Sequence, residues 1–571
     1  MNTHTDRSRL AADTRDERLR MLRSRHFDVL VIGGGVTGAG VALDAASRGL
    51  SVALIEAKDL AGGTSSRSGK VFHGGLRYLE QLNFGLVREA LLERDLMVGR
   101  LCPHLVSVEP FLFPFTKRWE RAYVGAGVAL YDLLRLTGPR TVPRHRHLTR
   151  AGVLREMPGL NPTEVTGGVQ YYDVRVDDAR HTMTVARTAA GLGATVVTRL
   201  KATDLLVDAG RVIGVRVSDL EDGGTEFDVS AQVVVNAAGV WADRVQRMAG
   251  AHSIAVTPAK GVHLVVPGDR IASRTGLIAR AGDSVFIMRR WFGNWLLGTT
   301  DTRWEFDREH PTASRPDVEY LLGQANRWLA KPIGDDDLLG VYAGLRPLVG
   351  KTPEARSTAE LHRDHLVVED PVGLVTVVGG KYTTYRVMAR DAVDLAARRL
   401  RRSVPPSATD QLPLHGAVRF EEYAEGKHGL AAASGLSPAW VDHLLGRYGT
   451  LTSELLDLIV DRPELGRPLA GAPGYLAAEV VYAATAEGAL HLEDVLDRRT
   501  HIAIETPDRG LSAAPEVAAL LAGPLGWSDR TREEEVEAYR CRVEADRAAE
   551  AAPTDSAALA ARRKLLPGAT G

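Results

Sequence analysis

Three glycines near the start of the chain have the spacing of a turn that binds nucleotide phosphates. Gly33, Gly35 and Gly38 follow directly after the apolar run FDVLVI. Glycines in this spacing let backbone N–H groups and the first turn of a helix approach a pyrophosphate. Glu56 lies 23 residues after Gly33, where an acid accepts hydrogen bonds from ribose hydroxyls and repels a 2′-phosphate. The spacing therefore predicts a dinucleotide site that disfavours NADP and leaves NAD and FAD open.

A loop rich in hydroxyl groups follows the acid and favours the longer of these two cofactors. Residues 62–80 read GGTSSRSGKVFHGGLRYLE and include Thr64, Ser65 and Ser66. Their side chains add hydrogen-bond donors that a long, extended cofactor can use. The loop therefore indicates FAD.

The elements that must position the glycine turn form a βαβ unit. A β-branched apolar run from Phe27 predicts a buried parallel strand, and alanine and leucine at helical spacing predict a helix over residues 36–48 that ends at Gly49. A second strand is predicted at residues 51–55. Further strands are predicted at residues 195–198, 212–217, 233–237 and 374–378, the last followed by a helical run to about Leu400.

The pattern along the chain predicts several domains. Residues 106–160 and 260–340 lack βα alternation and are interpreted as an inserted antiparallel-sheet substrate domain, which leaves a discontinuous nucleotide-binding domain over residues 27–105, 161–259 and 341–400. The proline-rich segment 401–413 is predicted to be a linker, and residues 414–540 carry apolar residues at helical spacing. Residues 1–26 are predicted to be a flexible arm and residues 541–571 a loosely held tail.

Composition limits the partners and the compartment. The chain has 71 basic and 72 acidic residues, so no global field indicates a nucleic-acid partner. Its two cysteines, Cys102 and Cys541, form neither a metal-ligand spacing nor a disulfide framework, which favours a reducing cytoplasm and no metal site. The N-terminus lacks the apolar segment of a secretion signal. The longest apolar stretch, residues 122–134, is interrupted by Asp132, so any membrane contact is predicted to be peripheral.

Several ordered blocks carry a family resemblance. The segment SSRSGKVFHGGLRYLEQLNFGLVREALLERDLM resembles the signature of the FAD-dependent glycerol-3-phosphate dehydrogenases, which belong to the D-amino-acid-oxidase-like flavoproteins. Further similar blocks are YYDVRVDDARHTMTVARTAAGLGA (171–194), NAAGVWAD (236–243), PAKGVHLVV (258–266), LLGTTDT (296–302), GLRPL (344–348), GGKYTTYRVMA (379–389) and EDVLDRRTHIAIE (493–505). The resemblance covers about residues 27–540. The chain departs from the family at Gly69, where a small polar residue is usual, and in its long N-terminal arm.

The resemblance implies a fold and an activity. The expected fold is of mixed α/β and α+β class: a two-dinucleotide-binding, Rossmann-like FAD domain, an antiparallel-sheet substrate domain and an all-α C-terminal domain. The expected reaction oxidises glycerol 3-phosphate to dihydroxyacetone phosphate, with non-covalently bound FAD taking a hydride and a membrane quinone taking the electrons. Such an enzyme is expected to associate peripherally with the inner face of the cell membrane. The oligomeric state stays open, with a homodimer among the options.

The resemblance also implies site residues. Arg346 and Arg77 are the expected clamp for the substrate phosphate; Arg346 could instead pair with a carboxylate, and Arg77 could instead be a cation on a helix surface. Lys381 stands where a strand gives way to a helix, a poor place for a cation unless an anion lies nearby. The other implied pocket residues are His73 and His263, the two alternatives for the base; Thr300, which lines the pocket; Tyr78, a substrate contact or a core residue; and Asp301, which orients a histidine or caps a turn.

Beside the turn, the acid and the hydroxyl loop, the cofactor contacts implied are Thr37, Lys70, His73, Gly74, Gly75, Ala238, Gly239, Gly380, Lys381 and Thr383. Three alternatives to the dehydrogenase remain. One is a glycerol-3-phosphate oxidase that uses oxygen, and the second is an amino-acid or amine oxidase of the same superfamily. The third is a catalytically silent FAD-binding scaffold that acts through its C-terminal helices.

Overall fold

The computed structural model describes residues 7–75, 83–117, 119–134, 141–282, 284–349 and 365–566. Its strands are β1 (His26–Ile32), β2 (Val52–Ile55), β3 (Val71–Phe72), β4 (Val106–Phe115), β5 (Arg146–Thr149), β6 (Gly167–Val176), β7 (Thr195–Val197), β8 (Leu200–Asp208), β9 (Arg211–Asp219), β10 (Thr225–Asn236), β11 (Val256–Pro267), β12 (Gly276–Ala281), β13 (Ser284–Trp291), β14 (Asn294–Gly298), β15 (Thr302–Arg303), β16 (Gly340–Val349), β17 (His365–Glu369), β18 (Leu374–Gly379), β19 (Pro468–Leu469) and β20 (Ala472–Leu476).

The α-helices of the same residues are α1 (Arg15–Ser24), α2 (Val36–Ser47), α3 (Phe84–Leu96), α4 (Glu120–Leu133), α5 (Arg150–Glu156), α6 (Asp178–Gly191), α7 (Ala242–Met248), α8 (Arg315–Trp328), α9 (Tyr385–Ala397), α10 (Phe420–Glu425), α11 (Lys427–Ser434), α12 (Pro438–Tyr448), α13 (Thr452–Asp461), α14 (Ala477–Ala486), α15 (Leu492–Asp494), α16 (Ile502–Glu505), α17 (Ala514–Leu525), α18 (Asp529–Glu550) and α19 (Asp555–Leu565). In the described part of the chain, none of these helices combines the length and the apolarity needed to cross a membrane.

The first sheet carries the nucleotide-binding fold. Its strands run in the order β17-β18-β10-β1-β2-β7, and the hairpin of β8 and β9 extends β10. The four pairings of β18, β10, β1, β2 and β7 are parallel, as expected for strands joined through helices. Most of β1 and all of β2 are buried, which explains their continuous apolar sequence. The βαβ unit predicted from the sequence is confirmed.

The second sheet has ten strands and is mainly antiparallel. Its order is β15-β11-β14-β13-β12-β4-β6-β3, with β16 paired to β11 and β5 to β6. The predicted domain boundaries differ from this arrangement, because β3, β6 and β16 belong to the second sheet although the sequence analysis assigned their residues to the nucleotide-binding domain. Strand β6 reads GGVQYYDVRV, and its local pattern does not show which sheet it joins.

The C-terminal helices have their own core and a charged interface with the first sheet. Buried residues of α12–α18 form one apolar cluster that includes Leu444, Leu455 and Leu492. At the interface, Asp59 lies between Arg498 and Arg499, with N–O distances of 2.5 and 2.6 Å and side chains that are almost fully buried. Loss of one member of such a pair would leave a buried charge uncompensated, so this contact fixes the helical part against the first sheet.

Both ends of the described chain are ordered by packing, which differs from the predicted arm and tail. In α1, Leu19 and Leu22 are three residues apart and pack into the core on one face of the first sheet. In α19, Leu559 is 6% exposed and packs against Trp304, and Asp555 lies 2.5 Å from the ammonium of Lys260. The many charged residues of both segments concealed these apolar contacts in the sequence.

Replacing Leu559 by alanine is expected to lower the free energy of unfolding by about 2–3 kcal/mol, because the buried side chain leaves a cavity beside Trp304. The matched control is Leu565→Ala on the same helix, whose side chain is 40% exposed and whose loss should cost less than about 0.5 kcal/mol. Urea unfolding measures both. Equal stability of the two variants would contradict the packing of α19.

Candidate active site

A cavity of about 1340 Å³ lies between the two sheets. It begins at the carboxyl ends of parallel strands, where Gly33 follows β1, Glu56 follows β2 and Ala238 lies two residues beyond β10. Nucleotides bind at this edge in open α/β sheets. The opposite wall belongs to the second sheet and includes His263 of β11 and Arg346 of β16. One cavity therefore joins the predicted nucleotide site and the predicted substrate site.

The glycine turn is built around a close backbone approach. Gly33 has a φ of +111°, a conformation that favours glycine. A Cβ at Gly38 would lie 1.9 Å from the carbonyl oxygen of Gly33, so only glycine lets α2 start this close to β1. Gly35 precedes the first residue of α2 in extended conformation, which directs the N-terminus of this helix into the cavity. The turn has the geometry of a pyrophosphate cradle.

Glu56 and Ser65 fix the loops around this cradle. One carboxylate oxygen of Glu56 accepts a hydrogen bond from the backbone N–H of Gly34 at 2.6 Å, and the other from that of Lys58 at 2.8 Å. Burial raises the pKa of Glu56 above its ordinary value, and these two bonds oppose the rise. Ser65 Oγ accepts from the N–H of Val36 at 2.9 Å. The acid and the hydroxyl therefore lie on the cavity wall with further acceptor sites available.

Most of the predicted residues in the described part of the chain line the cavity. Those that do are Gly33, Gly35, Thr37, Glu56, Thr64, Ser65, His73, Gly75, Ala238, Gly239, His263, Arg346, Gly380 and Lys381. Those that lie behind the wall are Gly38, Ser66, Lys70, Gly74, Thr300, Asp301 and Thr383. Arg77 and Tyr78 fall outside the described residues.

The register of β11 with β16 brings His263 and Arg346 to the same face of the second sheet. His263 is opposite Tyr342, Gly261 is opposite Gly344, and Arg346 lies two residues beyond Gly344 on the same side of β16. A Cβ at Gly261 would lie 2.8 Å from the guanidinium of Arg346. Gly261 therefore makes space on this face for the arginine, and Gly344 makes space for the backbone of Arg67.

Arg346 is held by oxygen atoms of the adjacent loop. Its Nη1 lies 3.3 Å from a carboxylate oxygen of Asp301, and its Nη2 donates to Thr299 Oγ1 at 3.1 Å and to the carbonyl of Thr300 at 3.2 Å. Asp301 thus orients the arginine, whereas the sequence analysis expected it to orient a histidine or to cap a turn. Thr300 Oγ1 accepts from the N–H of Val262 at 3.0 Å, so it braces β11 instead of lining the pocket.

His263 has the environment of a neutral imidazole. Its ring stacks on Tyr342 with centroids 4.9 Å apart, and its side chain is buried. Burial lowers the pKa of His263 well below its ordinary value, and the cations of Arg346, Lys70 and Arg289 lower it further. Among the described residues, its Nδ1 has no hydrogen-bond partner. A neutral ring on the cavity wall can accept a proton.

Two further predicted residues approach the cavity from β3 and β18. Lys381 follows β18 after Gly379 and Gly380, whose φ angles of 82° and 72° turn the chain before α9. His73 follows β3, and its backbone N–H donates to Thr383 Oγ1 at 3.2 Å, which ties the two segments together. Thr383 therefore supports the wall, while His73 and Lys381 line it.

Lys70 differs from the predicted cofactor contact. Its ammonium lies 2.6 Å from Asp178, at the start of α6, and only 1% of its side chain is exposed. Three residues that the sequence analysis did not assign to the site support this region, namely Asp178, Arg289 and Tyr342. Asp178 is the second of two adjacent acids at the start of α6, a pattern that also occurs in ordinary helix caps. Arg289 and Tyr342 approach only through strand pairing, for which the sequence has no local signal.

Two families of known domains match the chain. The family described as FAD-dependent oxidoreductase matches residues 28–386, and the C-terminal domain of alpha-glycerophosphate oxidase matches residues 407–532. The first match covers more than half of the sequence, so this chain belongs to the FAD-dependent oxidoreductase family and FAD is its cofactor.

Relatives and solved structures agree with this assignment. Glycerol-3-phosphate dehydrogenase 2 of Mycobacterium tuberculosis is 52% identical over 539 residues, which cover 94% of this chain and 91% of that protein. The mitochondrial glycerol-3-phosphate dehydrogenase of Homo sapiens is 34% identical, over 91% of this chain and 74% of that protein. Among solved structures, the glycerol-3-phosphate dehydrogenase from Bacillus halodurans complexed with FAD has a TM-score of 0.77 at 26% identity and covers 94% of this chain and 98% of that chain.

The residues present fit FAD. A side chain at Gly38 would collide with the turn, which matches a backbone surface shaped for a pyrophosphate. Glu56 offers carboxylate oxygens to a ribose, and the cavity continues past this nucleotide site to His263 and Arg346. The cavity exceeds the roughly 300–1,000 Å³ typical of sites for small ligands, as expected for a dinucleotide plus a substrate.

Replacing Gly38 by alanine is expected to abolish retention of FAD, because the new Cβ would push α2 away from Gly33. The absorbance of purified protein near the flavin bands measures the bound FAD per chain. Gly323→Ala in α8 is the control, since no atom lies within 4 Å of the added Cβ and the helix tolerates alanine. Full flavin occupancy in Gly38→Ala would contradict the cradle.

Proposed function

We propose that this protein oxidises sn-glycerol 3-phosphate to dihydroxyacetone phosphate. The observation that carries the proposal is that the cationic Arg346 and Lys381 and the neutral His263 all line one cavity. A phosphate dianion requires cations, and an alcohol oxidation requires a base. The names of the relatives support the same substrate, because they act as glycerol-3-phosphate dehydrogenases.

Arg346 is suited to recognition of the phosphate. Asp301 and two loop oxygens hold one side of its guanidinium, so the fork is oriented before the substrate arrives. Its side chain is 28% exposed and lines the cavity, where a phosphate group can reach it. A pre-oriented arginine loses little entropy on binding. Lys381 adds a second positive charge to the lining of the cavity.

His263 is the preferred proton acceptor of the two histidines. The substrate hydroxyl loses its proton to the imidazole as the adjacent carbon loses a hydride. FAD, when bound, supplies the acceptor for that hydride. The low pKa of His263 keeps a neutral ring ready at physiological pH. Tyr342 fixes the ring by stacking, and Gly298, opposite His263, leaves the space in which the ring lies.

Glycerol 3-phosphate is expected to bleach the flavin absorbance of the purified protein in the absence of oxygen. In Arg346→Ala, the bound FAD should stay unchanged while KM for glycerol 3-phosphate rises about ten- to a hundredfold, because a charged hydrogen bond to phosphate is lost. The control is Arg303→Ala, an exposed arginine on β15. A flavin that stays oxidised with glycerol 3-phosphate would exclude this substrate. An unchanged KM would remove Arg346 from the clamp.

We infer further that a quinone reoxidises the enzyme at a membrane surface. One end of the cavity is lined by apolar side chains, including Phe84, Phe113, Leu130 and Ile287. Beside it, α4 exposes apolar groups to solvent: Trp119, which precedes the helix, is 58% exposed, and Tyr123 and Leu133 are 52% and 58% exposed. Large exposed apolar patches mark contacts with a protein or a membrane, and aromatic residues are enriched at the bilayer interface. A hydrophobic quinone fits the apolar end.

The double substitution Trp119→Glu with Leu133→Glu is expected to reduce sedimentation with anionic lipid vesicles and to slow quinone reduction, while activity with a soluble dye persists. Val460→Glu is the control, because Val460 is also 58% exposed but lies on α13 of the C-terminal domain. Stoichiometric peroxide formation with little quinone reduction would instead establish the oxidase alternative. Unaltered vesicle binding in the double variant would exclude α4 as the membrane contact.

A further inference from the structure

The 68–70 segment runs beside the proposed base. Gly69 lines the cavity, and a Cβ at this glycine would lie 3.8 Å from Nε2 of His263. The segment has no regular secondary structure, and Lys70 has a positive φ of 55°, a strained backbone for a residue other than glycine. Surrounding groups must therefore stabilise the position of this segment next to the imidazole.

Asp178 binds the segment through three donors. One carboxylate oxygen accepts from the ammonium of Lys70 at 2.6 Å. The other accepts from the backbone N–H of Ser68 at 3.0 Å and from its hydroxyl at 2.6 Å. Both members of the ion pair are at most 1% exposed, so water does not weaken the attraction. The first turn of α6 is thereby locked to the segment.

The second sheet holds the carbonyl groups of the same segment. Arg289 donates to the carbonyl of Gly69 at 3.1 Å and to that of Lys70 at 2.7 Å. The hydroxyl of Tyr342 donates to the carbonyl of Ser68 at 2.9 Å. Tyr342 is also the residue on which His263 stacks. The segment and the imidazole therefore share one support.

The cation of Lys70 is enclosed by aromatic rings that the C-terminal domain secures. Its Nζ lies 5.0 Å from the ring centroid of Trp291 and 5.4 Å from that of Tyr342. Trp291 donates its indole N–H to Glu505 of α16 at 2.9 Å and packs against His501 with centroids 5.1 Å apart. Helix α6, the second sheet and the C-terminal helices therefore meet around the ammonium of Lys70.

We propose that Lys70 and Asp178 are positioning residues, whose buried ion pair holds the 68–70 segment against His263 in the geometry that proton transfer requires. The proposal rests on the proposed function, in which His263 accepts the proton of the substrate. Neither side chain lines the cavity. Their effect on catalysis passes through Gly69 and Tyr342.

The charges of this pair also reach the imidazole. Lys70 lowers the pKa of His263, together with Arg346 of β16 and Arg289 of β13. Each cation faces a carboxylate: Asp178 for Lys70, Asp301 for Arg346 and Glu109 for Arg289. Tyr342, the other titratable group against the ring, has a pKa raised by burial and stays neutral. Removal of one member of the Lys70 pair therefore changes the net charge near His263.

Three variants test the proposal: Lys70→Met, Asp178→Asn and the double variant. Lys70→Met removes a cation that lowers the pKa of His263, while Asp178 keeps the donors of Ser68 and the N–H of Ala179, so the pKa of His263 rises. In Asp178→Asn, Lys70 keeps its bond to the carbonyl of Ser66 and its aromatic rings, so the pKa falls. Because the neutral imidazole is the active form, the acid limb of the pH–kcat/KM profile should move to higher pH in the first variant and to lower pH in the second.

The double variant has no net change of charge but lacks the ion pair. Its acid limb should stay close to that of the wild type, while kcat per bound flavin falls about ten- to a hundredfold because the reacting groups are misplaced. KM should change less, because Arg346 is untouched. Neutral groups of similar size often replace a buried ion pair without loss of stability. The double variant therefore still tests the proposal if a single variant does not fold.

A similar ion pair on the far side of β11 provides the control. Lys260 is also 1% exposed, lies 2.5 Å from Asp317 and faces the ring of Trp304 at 5.3 Å. Lys260→Met with Asp317→Asn should lower stability but leave kcat per flavin and the acid limb unchanged. Wild-type kcat per flavin in the Lys70 double variant, or single variants whose acid limbs do not move apart, would overturn the proposal. A wild-type enzyme inert toward glycerol 3-phosphate would instead overturn the proposed function.

Discussion

The pairing of β11 with β16 decides which side chains face the cavity. In the observed register, His263, Tyr342 and Arg346 share one face, while Lys260 points to the other and reaches Asp317 of α8. Side chains alternate along a strand, so a shift of one residue would exchange the two faces. The proposed base, its stacking partner and the proposed phosphate clamp all depend on this one alignment, and Gly261 leaves the space that the guanidinium of Arg346 occupies.

The cofactor half of the site could be predicted from sequence because its signals are local. Gly33, Gly35, Gly38 and Glu56 belong to one βαβ unit, in which spacing fixes position. The strands, the class of fold and the cofactor followed from this unit and from the ordered family blocks, and the family assignment confirms them. A glycine turn can be recognised from residue type alone, because only glycine fits where two backbone segments approach each other most closely.

The other parts of the site and the fold could not be predicted, because they depend on contacts between residues that are far apart in the sequence. Lys70 was expected to contact the cofactor because it lies in the loop predicted to bind it. Its ammonium instead binds the carboxylate of Asp178, 108 residues later in the sequence. Asp301 was expected to orient a histidine or to cap a turn, and it instead orients Arg346, 45 residues away. The terminal segments looked flexible because charges dominate them, whereas Leu22 and Leu559 decide their packing. Strand pairing and burial of single apolar residues leave little trace in local sequence.

The return of α19 to the second sheet has a consequence for biosynthesis. Trp304 and its apolar neighbours Val240 and Leu345 are translated more than 200 residues before Leu559, which covers them. Domains generally begin to fold while the ribosome is still elongating the chain. During that interval this apolar surface is uncovered, and it is buried only when α19 emerges. Premature termination before α19 would thus yield a chain with an exposed apolar surface beside an otherwise folded core.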